Sequence, residues 1–145
     1  MTTENNLDII NITALTSFTP TLTGAGTAGT TTYTTQQGYY QRFGNLIVVY
    51  VWIAISAATG TGDVLIGGLP FTIKSRTNGN LLGPMRLSAS NTLVWPTNTQ
   101  QPIIYGLNNT TTCKILGIGS SATSGALFQL ASASISLRFE LMYQV

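Results

Sequence analysis

The stretch Asn45-Leu-Ile-Val-Val-Tyr-Val-Trp-Ile-Ala-Ile-Ser56 decides the fold. Its odd positions carry Ile47, Val49, Val51, Ile53 and Ile55, and its even positions carry Leu46, Val48, Tyr50, Trp52 and Ala54. Both registers of a period-2 pattern are therefore apolar, which predicts a β-strand covered on both sides. In an antiparallel sandwich one sheet face takes the core and the other normally meets water. No helical periodicity is present to supply a further layer. The expectation is that another copy of the same chain covers the second face, with Val48, Tyr50 and Trp52 as the oligomer interface. A strand inside a barrel, or a loop folded over it, is the alternative.

The chain around this stretch reads the same way. Residues 133–145 alternate strictly: Ala133, Ile135, Leu137, Phe139, Leu141, Tyr143 and Val145 on one face, with Ser134, Ser136, Arg138, Glu140, Met142 and Gln144 on the other. This predicts a second long strand with one dry face. Turn signals at Gly44-Asn45, residues 58–63, 77–80, 108–109 and 117–125 separate short β-rich runs, among them Thr31–Gln36, Tyr39–Phe43, Phe71–Lys74, Leu81–Ser88, Thr92–Trp95 and Ile103–Leu107. Many short strands with Gly and Pro turns give an all-β fold, an antiparallel β-sandwich of jelly-roll-like type. Residues 1–16 read as a lead-in segment or stalk stub and 17–145 as a single head domain.

Composition narrows the chemistry. Only ten of the 145 side chains are charged, 7% of the chain, against about 25% in an average protein. Thr, Ser, Asn and Gln fill 52 positions, so hydroxyls and amides cover the surface. The absence of His and the single Cys113 exclude Ser-His-Asp and Cys-His catalysis, the usual zinc sites and an internal disulfide. No cofactor is expected. A net charge of +2, scattered along the chain, gives no nucleic-acid footprint. The longest apolar run, 46–58, is shorter than the roughly 18–20 residues of a membrane span, so membrane insertion is not expected. Met1–Asn6 is polar and predicts no signal peptide.

Three motifs carry little chemistry. Gly24-Ala-Gly-Thr-Ala-Gly29 matches a dinucleotide fingerprint, but strand-like Thr30–Thr35 follows it where a helix is required. A glycosidase needs paired carboxylates, and only Asp63 and Glu140 lie in the structured region. Asp63 reads as a turn residue and Glu140 as half of a cross-strand ion pair. Cys113 reads as a small buried hydrophobe.

The segments Phe18-Thr-Pro-Thr-Leu-Thr-Gly24, Tyr33-Thr-Thr-Gln-Gln-Gly-Tyr-Tyr-Gln-Arg-Phe-Gly-Asn-Leu-Ile-Val48 and Ile66-Gly-Gly-Leu-Pro-Phe71 together resemble a recurrent module. It is the C-terminal, receptor-binding head domain of trimeric phage tail-fibre and related virion fibre proteins. The resemblance covers about residues 17–73. It implies a homotrimeric β-sandwich head that sits on the virion, meets other virion proteins and recognises a host-cell surface, most often a glycan. The motifs have a structural account of their own. Gly44-Asn45 turns Tyr39–Phe43 back onto Leu46–Val51, and Gly67-Gly68 with Pro70 bends the chain out of the sheet.

The expected function is non-enzymatic attachment of a fibre or spike head to a host glycan or surface protein. The alternative is a structural virion protein, such as a capsid decoration or spike base, without receptor binding. Aromatic faces beside amides suit sugars. The candidate ligand-binding residues, all near predicted loops, are Trp95, Asn98, Arg76, Asn78, Asn108 and Asn109. Lys74, Arg76, Arg86 and Lys114 would favour an anionic glycan.

Overall fold

Pairing of the long apolar strand organises the chain. A computed structural model describes residues 12–77, 81–90, 96–119, 126–128 and 134–145. Among these the strands are β1 (Thr16–Phe18), β2 (Thr21–Gly24), β3 (Thr31–Phe43), β4 (Leu46–Ala58), β5 (Val64–Gly67), β6 (Leu81–Ser90), β7 (Gln101–Gly106), β8 (Cys113–Ile118), β9 (Ala126–Leu127) and β10 (Ser134–Gln144). They form one sheet in the order β1-β3-β4-β10-β6-β7-β8-β5-β2, with β9 beside β8, and every pairing is antiparallel. No helix among the described residues is long and apolar enough to cross a membrane.

The sheet curls into two facing layers. β6 belongs to both: Met85–Ser90 pair with β10, and Leu81–Pro84 pair with β7. At the corner Gly83 has no room for a side chain, because a Cβ there would meet Ile104, Leu141 and the Glu140 carbonyl. The two edges of the curl approach each other. The Tyr33 hydroxyl accepts from the Leu22 amide at 2.8 Å, and the Thr31 hydroxyl donates to the Leu22 carbonyl at 2.6 Å.

The core lies between the layers. Ile47, Val49, Val51, Ile53 and Ile55 of β4 and Ile135, Leu137, Phe139, Leu141 and Tyr143 of β10 face Leu22, Val64, Ile66, Ile104, Cys113 and Ile115 from the other layer. The odd positions of both long strands point inward, which the alternation of residues 133–145 predicts for β10. Each such Ile or Leu contributes about 1.5–3 kcal/mol by leaving water. Tyr143 is fully buried and donates its hydroxyl to the Phe71 carbonyl at 3.1 Å.

Local details differ from the sequence reading where a tertiary partner intervenes. Thr31–Gln36 and Tyr39–Phe43 are one strand, β3, carried through a register irregularity around Tyr33–Thr35. That shift lets Tyr33 point inward while Tyr39, of the same parity, points outward. Phe71–Lys74 is not a ladder strand. Its backbone makes single bonds instead, Ile73 N–H to the Thr110 carbonyl in the loop between β7 and β8 and Lys74 N–H to the Gln144 carbonyl of β10, both at 2.8 Å. The Gly24–Gly29 motif is a loop between β2 and β3 with no helix after it. Thr92–Trp95 lies outside the described residues. Residues 12–18 run along β3, through an Ile12–Phe43 bridge and the β1 ladder.

Candidate functional site

The outer face of the layer β3-β4-β10-β6 is built by register. Gln37, Trp52, Arg138 and Arg86 form one cross-strand row, and Tyr39, Tyr50 and Glu140 form the next. Gln41, Val48 and Met142 form a third. The even residues of β4 and β10 thus share a face because the two strands pair in register. Tyr39, Tyr50, Leu82 and Met142 leave 41%, 43%, 54% and 52% of their surface exposed there. Large apolar side chains at this exposure on adjacent strands make a contiguous apolar patch.

A groove of about 530 Å³ runs along this patch between Tyr39, Tyr50, Trp52, Pro84 and Arg138. The Arg138 guanidinium carbon lies 3.8 Å from the centre of the Trp52 ring. The Trp52 Nε1 is buried with no hydrogen-bond partner among the described residues. Beside the groove, Arg86, Ser88, Ser136 and Arg138 enclose a smaller hollow of about 170 Å³.

Of the residues expected at an oligomer interface, Val48, Tyr50 and Trp52 share this face. Val48 is only 7% exposed in the single chain. Tyr50 is open, and Trp52 is half-buried under Arg138.

The residues expected to bind a ligand fall in two places. Arg76, Asn108 and Asn109 meet at one end of β7. The Asn108 Nδ2 donates to the Arg76 carbonyl at 3.5 Å, and the Asn109 amide donates to the Ile73 carbonyl at 2.9 Å. Asn109 holds a left-handed φ of 60°, and the buried Asn108 Oδ1 has no partner among the described residues. Asn98 lies at the other end of β7, against Gly119, with a φ of 63°. A six-residue strand separates the two ends by about 20 Å. Trp95 and Asn78 lie outside the described residues.

The charged groups are divided. Lys114 donates to the Asp63 Oδ2 at 2.8 Å, so Asp63, read from sequence as a turn residue, is one half of an ion pair. Glu140 stands opposite Tyr50, with no ion pair among the described residues. Burial pushes the Cys113 thiol up to about 12, which leaves it protonated and unreactive. No group of three or more His, Cys, Asp or Glu among the described residues is placed to hold a metal ion.

No family model matches the chain, and no curated protein sequence matches it. A solved structure does. The Dettilon tailspike protein (gp208) superposes with a TM-score of 0.55 at 19% identity, over 88% of this chain and 23% of that one. The chain shares its fold with a segment of a phage tailspike and spans about a quarter of that protein's length. The shared fold agrees with the all-β architecture expected from the period-2 patterns of β4 and β10.

Proposed function

We propose that this chain is a virion tail domain that assembles as a homotrimer and attaches to a host-cell surface glycan. The observation that carries the reading is the fold shared with a tailspike segment over 88% of the chain. The outer face supports the assembly. Tyr50 and Trp52 present apolar surface on the open side of a sheet whose other side is the core. Burying such surface against copies of itself is the common route to a closed oligomer. Val48 adds the floor of that interface.

Attachment then belongs to the loops. Arg76, Asn108 and Asn109 cluster at one end of the layer β7-β8, where amides and a guanidinium suit sugar hydroxyls and acids. Asn98, about 20 Å away at the other end of β7, would make a separate contact, and Trp95 and Asn78 are proposed from sequence as further contacts. Binding per site is weak and three copies add avidity. The reaction class is recognition without bond cleavage. Cells and a glycan array, probed with the full chain presented multivalently, test the reading. Binding that Asn108→Ala and Arg76→Ala together weaken supports it. Failure to bind either overturns attachment and leaves a structural role in the particle.

A further inference from the structure

We propose that Arg86 and Arg138, with the hydroxyls of Ser88 and Ser136, form a binding site for an oxyanion: a sulfate, phosphate or carboxylate group. Arg138 and Arg86 are direct register partners in the β10–β6 ladder, on the outer face of the sheet, and both line one hollow. Like charges directly opposite on an antiparallel pair destabilise it. Neither arginine has an ion pair or a side-chain hydrogen bond among the described residues, and the hollow of about 170 Å³ between them is lined by those two residues and the two serines alone.

The register explains the composition of the hollow. Ser136 faces Ser88 one row on from Arg138 and Arg86, on the same side of the sheet. The four side chains therefore offer guanidinium N–H and hydroxyl donors around one space. Arg138 is restrained on its β4 side by stacking 3.8 Å over the Trp52 ring, so it has less side-chain freedom to lose on binding. Planar forks of this kind bind two oxygens of one oxyanion at once. Glu140 is two residues along β10 and lines the neighbouring groove, not this hollow. Lys114, the nearest expectation for a second anion contact by sequence, is engaged by Asp63.

The site goes beyond the attachment reading and does not require it. The oxyanion has two sources, a free inorganic ion or the acidic group of a surface saccharide. The test titrates the full chain with low-millimolar sodium sulfate and phosphate against sodium chloride at matched ionic strength, by calorimetry and thermal melting. Wild type is expected to bind one oxyanion per chain and to melt higher in sulfate than in chloride. Arg86→Gln removes one of the opposed charges from a position exposed in the single chain. It is expected to melt at or above wild type in chloride and to bind sulfate at least about tenfold more weakly. The same titration with a sulfated and with a neutral oligosaccharide separates the sources. Binding of the sulfated sugar alone, competed by sulfate, supports a saccharide ligand, whereas sulfate binding without sugar binding supports an inorganic ion. A melting response equal in sulfate and chloride, or an equal sulfate response in Arg86→Gln, overturns the site. Cell attachment that survives in Arg86→Gln leaves the attachment reading standing. Sulfate binding by a chain that attaches to no cell leaves the oxyanion site standing.

Discussion

Arg138 and Trp52 face each other directly across the β4–β10 pairing, with the guanidinium carbon 3.8 Å from the indole ring centre. The arrangement shields one face of the ring and holds a charge beside an apolar groove. A cation over a partly exposed ring is worth about 0.5–2 kcal/mol. A double-mutant cycle with Arg138→Ala and Trp52→Leu is expected to return a coupling in that range by chemical denaturation. A coupling near zero would mean that the contact is incidental.

The open side of β4 carries the second prediction. Tyr50 is 43% exposed and stands opposite Glu140, so Tyr50→Lys gains a cross-strand carboxylate in the single chain. The same lysine would be buried between copies. The expected result is a folded protein of unchanged secondary structure and of monomer mass by light scattering. An unchanged oligomer would move the interface off this face.

Alkaline stability follows from two buried acids. Burial raises the Cys113 thiol from 9.0 to about 12, and burial also raises the Tyr143 phenol, against the lowering effect of its hydrogen bond to Phe71. The unfolded chain loses these protons from about pH 9 upward, while the folded chain keeps them. The unfolded state then binds fewer protons, so stability holds below pH 9 and falls as pH rises toward 12. The slope is about 1.4 kcal/mol per pH unit for each group that titrates in the unfolded state alone. Denaturant midpoints between pH 8 and 11 should show this fall, and Cys113→Ala should flatten it.

The β3–β4 turn gives a backbone test. Gly44 has a φ of 59° and open space where a Cβ would stand. Asn45 does not share the left-handed conformation, so the two-residue loop follows the II′ pattern with glycine first. Gly44→Ala is therefore expected to cost about 1–2 kcal/mol through conformation alone. A cost near zero would show that the hairpin tolerates another turn type.

The period-2 pattern made both long strands legible, down to which parity of residues 133–145 is dry. The Gly44-Asn45 turn was legible for the same local reason. The pairing of β10 between β4 and β6 was not, since no short-range signal marks a partner that lies 86 residues earlier in the register of Arg138 and Trp52. The rows that bring Arg138 to Trp52 and to Arg86 exist only through that pairing. Among the loop candidates, one rule was available. Asn98 and Asn108 flank the predicted strand Ile103–Leu107, and the two ends of one strand cannot share a site. Phe71–Lys74 shows the opposite limit, because β-like composition there is spent on single bonds to a loop and to β10 instead of a ladder.

The placement of β10 also sets a timetable for biosynthesis. Ten of its residues pair with β4 and six with β6, so the layer stays split until Ser134–Gln144 has left the ribosome. The nascent chain must carry the greasy inner flank of β4 without this neighbour until β10 is made, an interval when chaperone capture competes with collapse. Any association of copies through this layer would then have to follow the docking of β10.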